Sequence, residues 1–130
     1  MNYYKGNFYQ DRERECSIRK GWLLGQFMNE KENDKRGTDK VAIKFWQFKK
    51  GKPTNHEPKY QRFAVECTFI LKGKIKAQID SNEIMLVAGD YVVIPANIIS
   101  NLALEVLEDA EGLTIKAPSC IPDDTVKLAQ

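Results

Sequence analysis

Between Lys40 and Ala117 apolar and polar residues alternate in short runs. A period of two puts successive side chains on opposite faces of an extended chain, so each run predicts a strand rather than a helix. The alternation is cleanest in Lys74 to Asp80, where Ile75, Ala77 and Ile79 share a buried face and Lys74, Lys76, Gln78 and Asp80 share the other. Ser81 and Asn82 read as a hairpin turn into Glu83 to Val87. Ala88-Gly89-Asp90 turns the chain again, and Tyr91 to Ile94 stops at Pro95, which has no N–H to give a ladder. Earlier, Val41, Ile43 and Phe45 alternate with Ala42, Lys44 and Trp46 up to the charged turn Lys49 to Pro53. Arg62 to Leu71 is rich in β-forming residues and is followed by Lys72-Gly73-Lys74, which predicts a turn. Leu102 to Leu107 and Leu113 to Ala117 predict two more strands, joined by the acidic turn Glu108 to Gly112.

The flanks carry less pattern. Up to about Lys20 the chain is polar and aromatic without an apolar stripe at helical spacing, which predicts an irregular arm; its Tyr3, Tyr4, Phe8 and Tyr9 are suited to pinning that arm onto a sheet or a partner subunit. Gly21 to Met28 reads as a short strand with glycines at a turn or bulge, and Asn29 to Gly37 as a solvated charged loop. The chain thus divides into an arm, first strand and loop over 1–39, a barrel-forming region over 40–117, and a strap and mobile tail over 118–130. Many short strands without one convincing helix predict an all-β sandwich or barrel.

Composition narrows the function classes. A chain of 130 residues suits one domain. Its 20 basic and 18 acidic side chains are interspersed, leaving no broad field for nucleic acid or an anionic membrane. No run of apolar residues is long enough for a membrane helix, and the amino end has no secretory pattern, so a cytoplasmic protein is expected. Cys16, Cys67 and Cys120 are odd in number and widely spaced; neither a disulfide framework nor a thiolate zinc site is indicated, and Cys67 is expected as a small core residue.

Two spacings carry a family resemblance. Glu66 precedes Gly73 with six residues between them, and Gly89 precedes Pro95 with five between. With the hairpin that separates them, these resemble the two motifs of a small single-domain cupin of the RmlC-like superfamily. The resemblance covers roughly Lys40 to Ala117 and implies an all-β fold, a double-stranded β-helix or jelly-roll barrel. The family's first motif also carries two histidines, and the matching positions here are Lys59 and Gln61, or Tyr60 and Arg62. The second motif's later glycine and histidine positions hold Asn97 and Ser100. The chain's one histidine, His56, lies in the loop-forming stretch Pro53 to Pro58 and is expected to be exposed.

Such folds hold iron, nickel, copper or zinc through neutral imidazoles backed by a carboxylate. Lys59 or Arg62 would set a fixed positive charge where the metal belongs, so no metal and no cofactor are expected. The resemblance implies that the motif side chains point inward, which nominates Lys59, Gln61, Glu66 and Ser100 as a set able to hold a carboxylate or a sugar-like molecule. The same groups could satisfy one another as a structural network. An enzyme of the cupin class, sugar-nucleotide epimerase-like, isomerase-like or dioxygenase-like, is the alternative, using His56 and Glu66, with Tyr60 or Tyr91 as an acid beside a histidine base. Arg62 is a further secondary candidate. A dimeric interaction module with no ligand is the third possibility, and a homodimer is expected by fold analogy.

Overall fold

The computed structural model describes residues 2–30, 34–54, 56–119 and 124–128, without the side chains of Asn29 and Glu30. Cys120, most of the strap and the end of the tail lie outside the described residues, as does part of the charged loop. Among the described residues there is one α-helix, α1 (Phe8–Arg19), and eight strands: β1 (Trp22–Leu24), β2 (Ala42–Phe48), β3 (Lys59–Gln61), β4 (Val65–Ile79), β5 (Asn82–Val87), β6 (Tyr91–Ile94), β7 (Ser100–Ala117) and β8 (Thr125–Lys127). A 3-10 turn over Gln26–Glu30 follows β1. No helix is long and apolar enough to cross a membrane among these residues.

All pairings are antiparallel, and two long strands organise them. β4 and β7 run side by side from the Val65–Ala117 pair to the Ile79–Ser100 pair. Near Val65 they join β6 on one side and β2, then β1, on the other. Near Ile79 they join β5 and β3, with β8 beyond β3. The two layers close over a core of Trp46, Ile70, Ile75, Ala77, Leu86, Ile94, Leu102, Val106 and Ala110. Aliphatic side chains of this size each contribute about 1.5–3 kcal/mol when fully buried.

The corner between the layers corrects the sequence reading. Lys72-Gly73-Lys74 and Glu108 to Gly112 do not reverse the chain; they are facing parts of two continuous bent strands, where the register shifts between Ile70 and Ile75. Gly73 makes this possible, because its φ is +85° and a Cβ there would press on the backbone of Asp109 and Ala110. The short hairpins follow expectation. Ile75 and Ala77 are buried, Ile79 packs against the core, Gly89 turns at φ +94°, and β6 ends before Pro95.

The arm is also different from expectation. Phe8–Arg19 is helical because Asn7 caps it, its side chain accepting from the N–H groups of Tyr9 and Gln10, both at 3.1 Å. Lys20 ends it in the left-handed conformation. Its surface is almost wholly polar and charged, so no apolar period marks it. Phe8 and Tyr9 still anchor it: their rings lie 4.6 and 5.0 Å from that of Phe45, which is fully buried. Arg12 Nη1 donates to the Phe45 carbonyl at 2.8 Å, fixing the helix across β2.

Three further corrections follow from packing. Gly21 to Met28 is strand only to Leu24 before it coils into the 3-10 turn. Arg62 and Phe63 precede β4, held in a bend by Asp124, whose Oδ1 accepts from Phe63 N at 2.6 Å and Ala64 N at 3.3 Å. Cys67 is half-buried on the outer face of β4, opposite Val93 and Ile115, rather than in the core.

Candidate functional site

Register across the barrel determines which side chains meet inside. β2 sends Ala42, Lys44, Trp46 and Phe48 inward, while Phe45 faces α1. Trp22 lies beside Lys44 in the ladder, Lys44 beside Thr114, and Thr114 beside Thr68. One step along, Ala42, Lys116, Glu66 and Ile94 form the next row. Trp22, Lys44 and Thr114 of the first row and Glu66 of the second line a cavity of about 70 Å³, with Trp46, His56 and Lys59 among its other walls. A water needs only about 10–15 Å³ of such space, so a few waters or a ligand of several heavy atoms fit. Lys44, Trp46, Phe48, His56 and Lys59 also line an outer bowl of about 480 Å³ at the mouth.

The charges at the mouth are lopsided. Arg12, Lys20, Lys44, Lys59 and Lys127 line the bowl against the carboxylate of Glu57. Glu66, 4% exposed, lies below them with Oε2 3.4 Å from Lys59 Nζ. Trp46 Nε1 donates to Thr114 Oγ1 at 3.1 Å, and that hydroxyl is 2.9 Å from Thr68 Oγ1, so these three polar groups satisfy one another.

His56 is half-buried rather than exposed, because its ring packs edge-on to Phe48 with centroids 5.5 Å apart. Burial, then the positive charges of Lys59, Lys44 and Lys127, pull its pKa down to about 4. The imidazole is therefore neutral at physiological pH. Lys44 is also shifted downward, by burial first and then by Lys59, Arg12 and Lys20, with Glu66 acting in the opposite direction.

The structure brings Lys59, Glu66 and His56 together and sends the other nominated residues elsewhere. Gln61 is buried but turned to β8, accepting from Thr125 Oγ1 at 2.7 Å. Ser100 is buried at the far end of β7, beside Lys59 and Ile79 in the ladder, and does not line the cavity. Tyr60 pairs with Val126 and lines neither the cavity nor the bowl. Arg62 is exposed in the bend, and Tyr91 lies on the outer face, 63% exposed and stacked on Phe69 at 5.4 Å. A histidine–tyrosine acid/base pair with Tyr60 or Tyr91 is thus not assembled. Lys44, Trp46 and Phe48 were not legible as site residues from sequence, since both faces of β2 carry apolar residues, and nothing in the sequence singled out Trp22 on β1 or Thr114 on β7.

The fold family's usual metal does not fit this donor set. His56 and Glu66 are the metal-type donors of the inner cavity, Glu66 is engaged by Lys59, and the side chains of Lys44 and Lys59 line the space a cation would occupy. Among the described residues no group of three or more His, Cys, Asp or Glu side chains is arranged to hold a metal ion.

Comparison with known proteins agrees with this architecture. Residues 36–111, more than half of the chain, match the family model described as the EutQ-like cupin domain. Similar solved structures include an uncharacterised conserved protein with a double-stranded β-helix domain from Klebsiella pneumoniae, at 13% identity over 72% of this chain and 78% of that one, TM-score 0.60. A cupin protein from Bacteroides fragilis is 19% identical over 70% and 81%, TM-score 0.56. Pac13 of Streptomyces, a nucleoside dehydratase, is 13% identical over 70% of each chain, TM-score 0.55. At these identities the likeness establishes the fold alone. The curated proteins contain no match.

Proposed function

The chain belongs to the EutQ-like cupin domain family, and on that premise we propose that its barrel binds a small carboxylate-bearing molecule without a metal. The observation that carries this is the convergence of Arg12, Lys20, Lys44, Lys59 and Lys127 on one mouth above an aromatic-walled cavity. A cleft lined by one sign of charge concentrates the opposite ion, and a charge-assisted hydrogen bond from Lys59 would fix a carboxylate there. Trp22, Trp46 and Phe48 offer the apolar remainder of the ligand a dry wall. The neutral His56 beside that position supports a reading in which the bound molecule also undergoes proton transfer. Thermal unfolding with a panel of small carboxylates tests binding: a ligand at a hundred times its Kd stabilises by about 2.7 kcal/mol. No midpoint shift with any of them at low salt would contradict the reading.

Self-association is a second element of the proposal. Of the two roles open to the arm's aromatics, Phe8 and Tyr9 take the first, pinning it onto their own sheet at Phe45 rather than onto a partner subunit. What supports a homodimer is instead the outer face of β4 and β6. There Val65, Phe69, Leu71, Tyr91 and Val93 are all more than a third exposed, next to half-buried Cys67, Leu113 and Ile115. A contiguous apolar sheet face of this kind matches a second copy of itself across a two-fold axis.

A further inference from the structure

Lys44 combines position and isolation. The alternation of β2 carries its side chain inward, and it lines both the cavity and the bowl. Its Nζ lies 5.6 Å from the centroid of the Trp22 ring. Lys59 is paired with Glu66 and Lys116 with Asp124, whereas Lys44 has no salt bridge and no side-chain hydrogen bond among the described residues. The charged groups acting on it are the cations Lys59, Arg12 and Lys20 and the single anion Glu66; the Trp22 ring face, like Glu66, favours the ammonium, and neutral His56 shares its wall. Burial and repulsion both favour the uncharged amine, whose lone pair is the nucleophile.

We infer that Lys44 is a reactive amine that forms an imine with a small aldehyde or ketone carrying a carboxylate. The inference rests on the anion-binding reading above, which supplies the cations that orient such a molecule. The nitrogen lone pair adds to the carbonyl carbon, and the π pair moves to oxygen, which gains a proton. The carbinolamine then forms C=N as that oxygen leaves in water with both hydrogens of the original amine. No oxidant or reductant is consumed. His56, unprotonated in the same wall, offers a group able to carry the proton between nitrogen and oxygen. The aromatic walls limit the water that would reverse the condensation.

Glyoxylate is a probe of suitable size and chemistry. Incubating the full chain with glyoxylate and sodium cyanoborohydride at neutral pH converts any imine to a stable carboxymethyl amine, located by peptide mass spectrometry. Lys44 is expected to be modified about tenfold faster than exposed lysines such as Lys49. Modification that follows exposure, with Lys44 no faster than Lys49, overturns the inference; the readout uses the unmodified sequence, so no variant has to fold. Lys44→Arg, which keeps the charge, is expected to lose the fast site alone. Glycolate, a carboxylate without the carbonyl, separates the two readings. Glycolate that slows labelling of Lys44 supports both. Saturable glycolate binding without fast labelling overturns the imine alone. Fast labelling that glycolate leaves unchanged, and that uncharged propanal matches, overturns anion binding while the amine chemistry stands.

Discussion

Glu66 Oε2 lies 3.4 Å from Lys59 Nζ, and the carboxylate is buried while the ammonium reaches the mouth. The pair therefore holds Lys59 in place and also competes with any incoming anion for it. Glu66→Gln removes the competing charge but leaves Lys59 without its partner. Loss of one member of a buried pair costs about 3–5 kcal/mol, and the partial exposure of Lys59 reduces this to about 1–3 kcal/mol. The variant is expected to unfold at lower denaturant yet bind small carboxylates several-fold more tightly by calorimetry. Weaker binding would show that Glu66 contacts the ligand as an acceptor instead.

His56 gives the protein an acid-sensitive step. Its folded pKa, about 4, is below the ordinary 6.5, so the unfolded chain binds more protons across that interval. Stability then rises with pH between about 4 and 6.5 and is lost on acidification through that window, by on the order of 2–3 kcal/mol. Chemical denaturation as a function of pH should show this slope, and His56→Gln should flatten it. An unchanged slope in the variant would assign the acid sensitivity to other groups.

Gly73 bears the bend of β4. Gly73→Ala forces a Cβ against the backbone of Asp109 and Ala110 at a φ of +85°. A destabilisation of about 1–3 kcal/mol is expected from denaturant midpoints. A neutral result would mean that the corner tolerates a different backbone path.

The outer sheet face predicts oligomeric state. Tyr91→Lys introduces a charge beside Phe69 without touching the cavity. Sedimentation velocity should report a dimer for the parent chain and a monomer for the variant, both folded by circular dichroism. A parent monomer, or a dimer indifferent to the lysine, would remove this face from consideration.

Legibility followed the strength of the local pattern. Ile75 to Ile94 could be read residue by residue because one face of each strand is buried and glycine or proline punctuates the turns. The long strands could not, since Lys72-Gly73-Lys74 and Glu108 to Gly112 have turn chemistry but serve a bend that only their mutual pairing creates. The helix was hidden because Phe8 and Tyr9 are its anchors at one end and its remaining surface is held by charge and by the Asn7 cap; that cap and Lys20-Gly21 were the available signals. At the site, motif spacing found Lys59 and Glu66, and residue chemistry flagged His56. Lys44 and Trp46 were missed because Phe45, on the opposite face, is covered by α1, so alternation alone could not tell inside from outside. Gln61 and Ser100 show that the three-residue β3 and the bent end of β7 turn motif positions toward neighbouring strands instead of the cavity.

We propose that the mouth of this barrel holds a small carboxylate through Lys59 and its neighbouring cations. Trp22 and Trp46, the chain's two tryptophans, both line the cavity, so their intrinsic fluorescence reports occupancy directly. Titration with glycolate and related small carboxylates at low salt should give a saturable change that weakens with added salt and with Lys59→Met. A flat response to every carboxylate, or a saturable one that Lys59→Met leaves unaltered, would contradict the account.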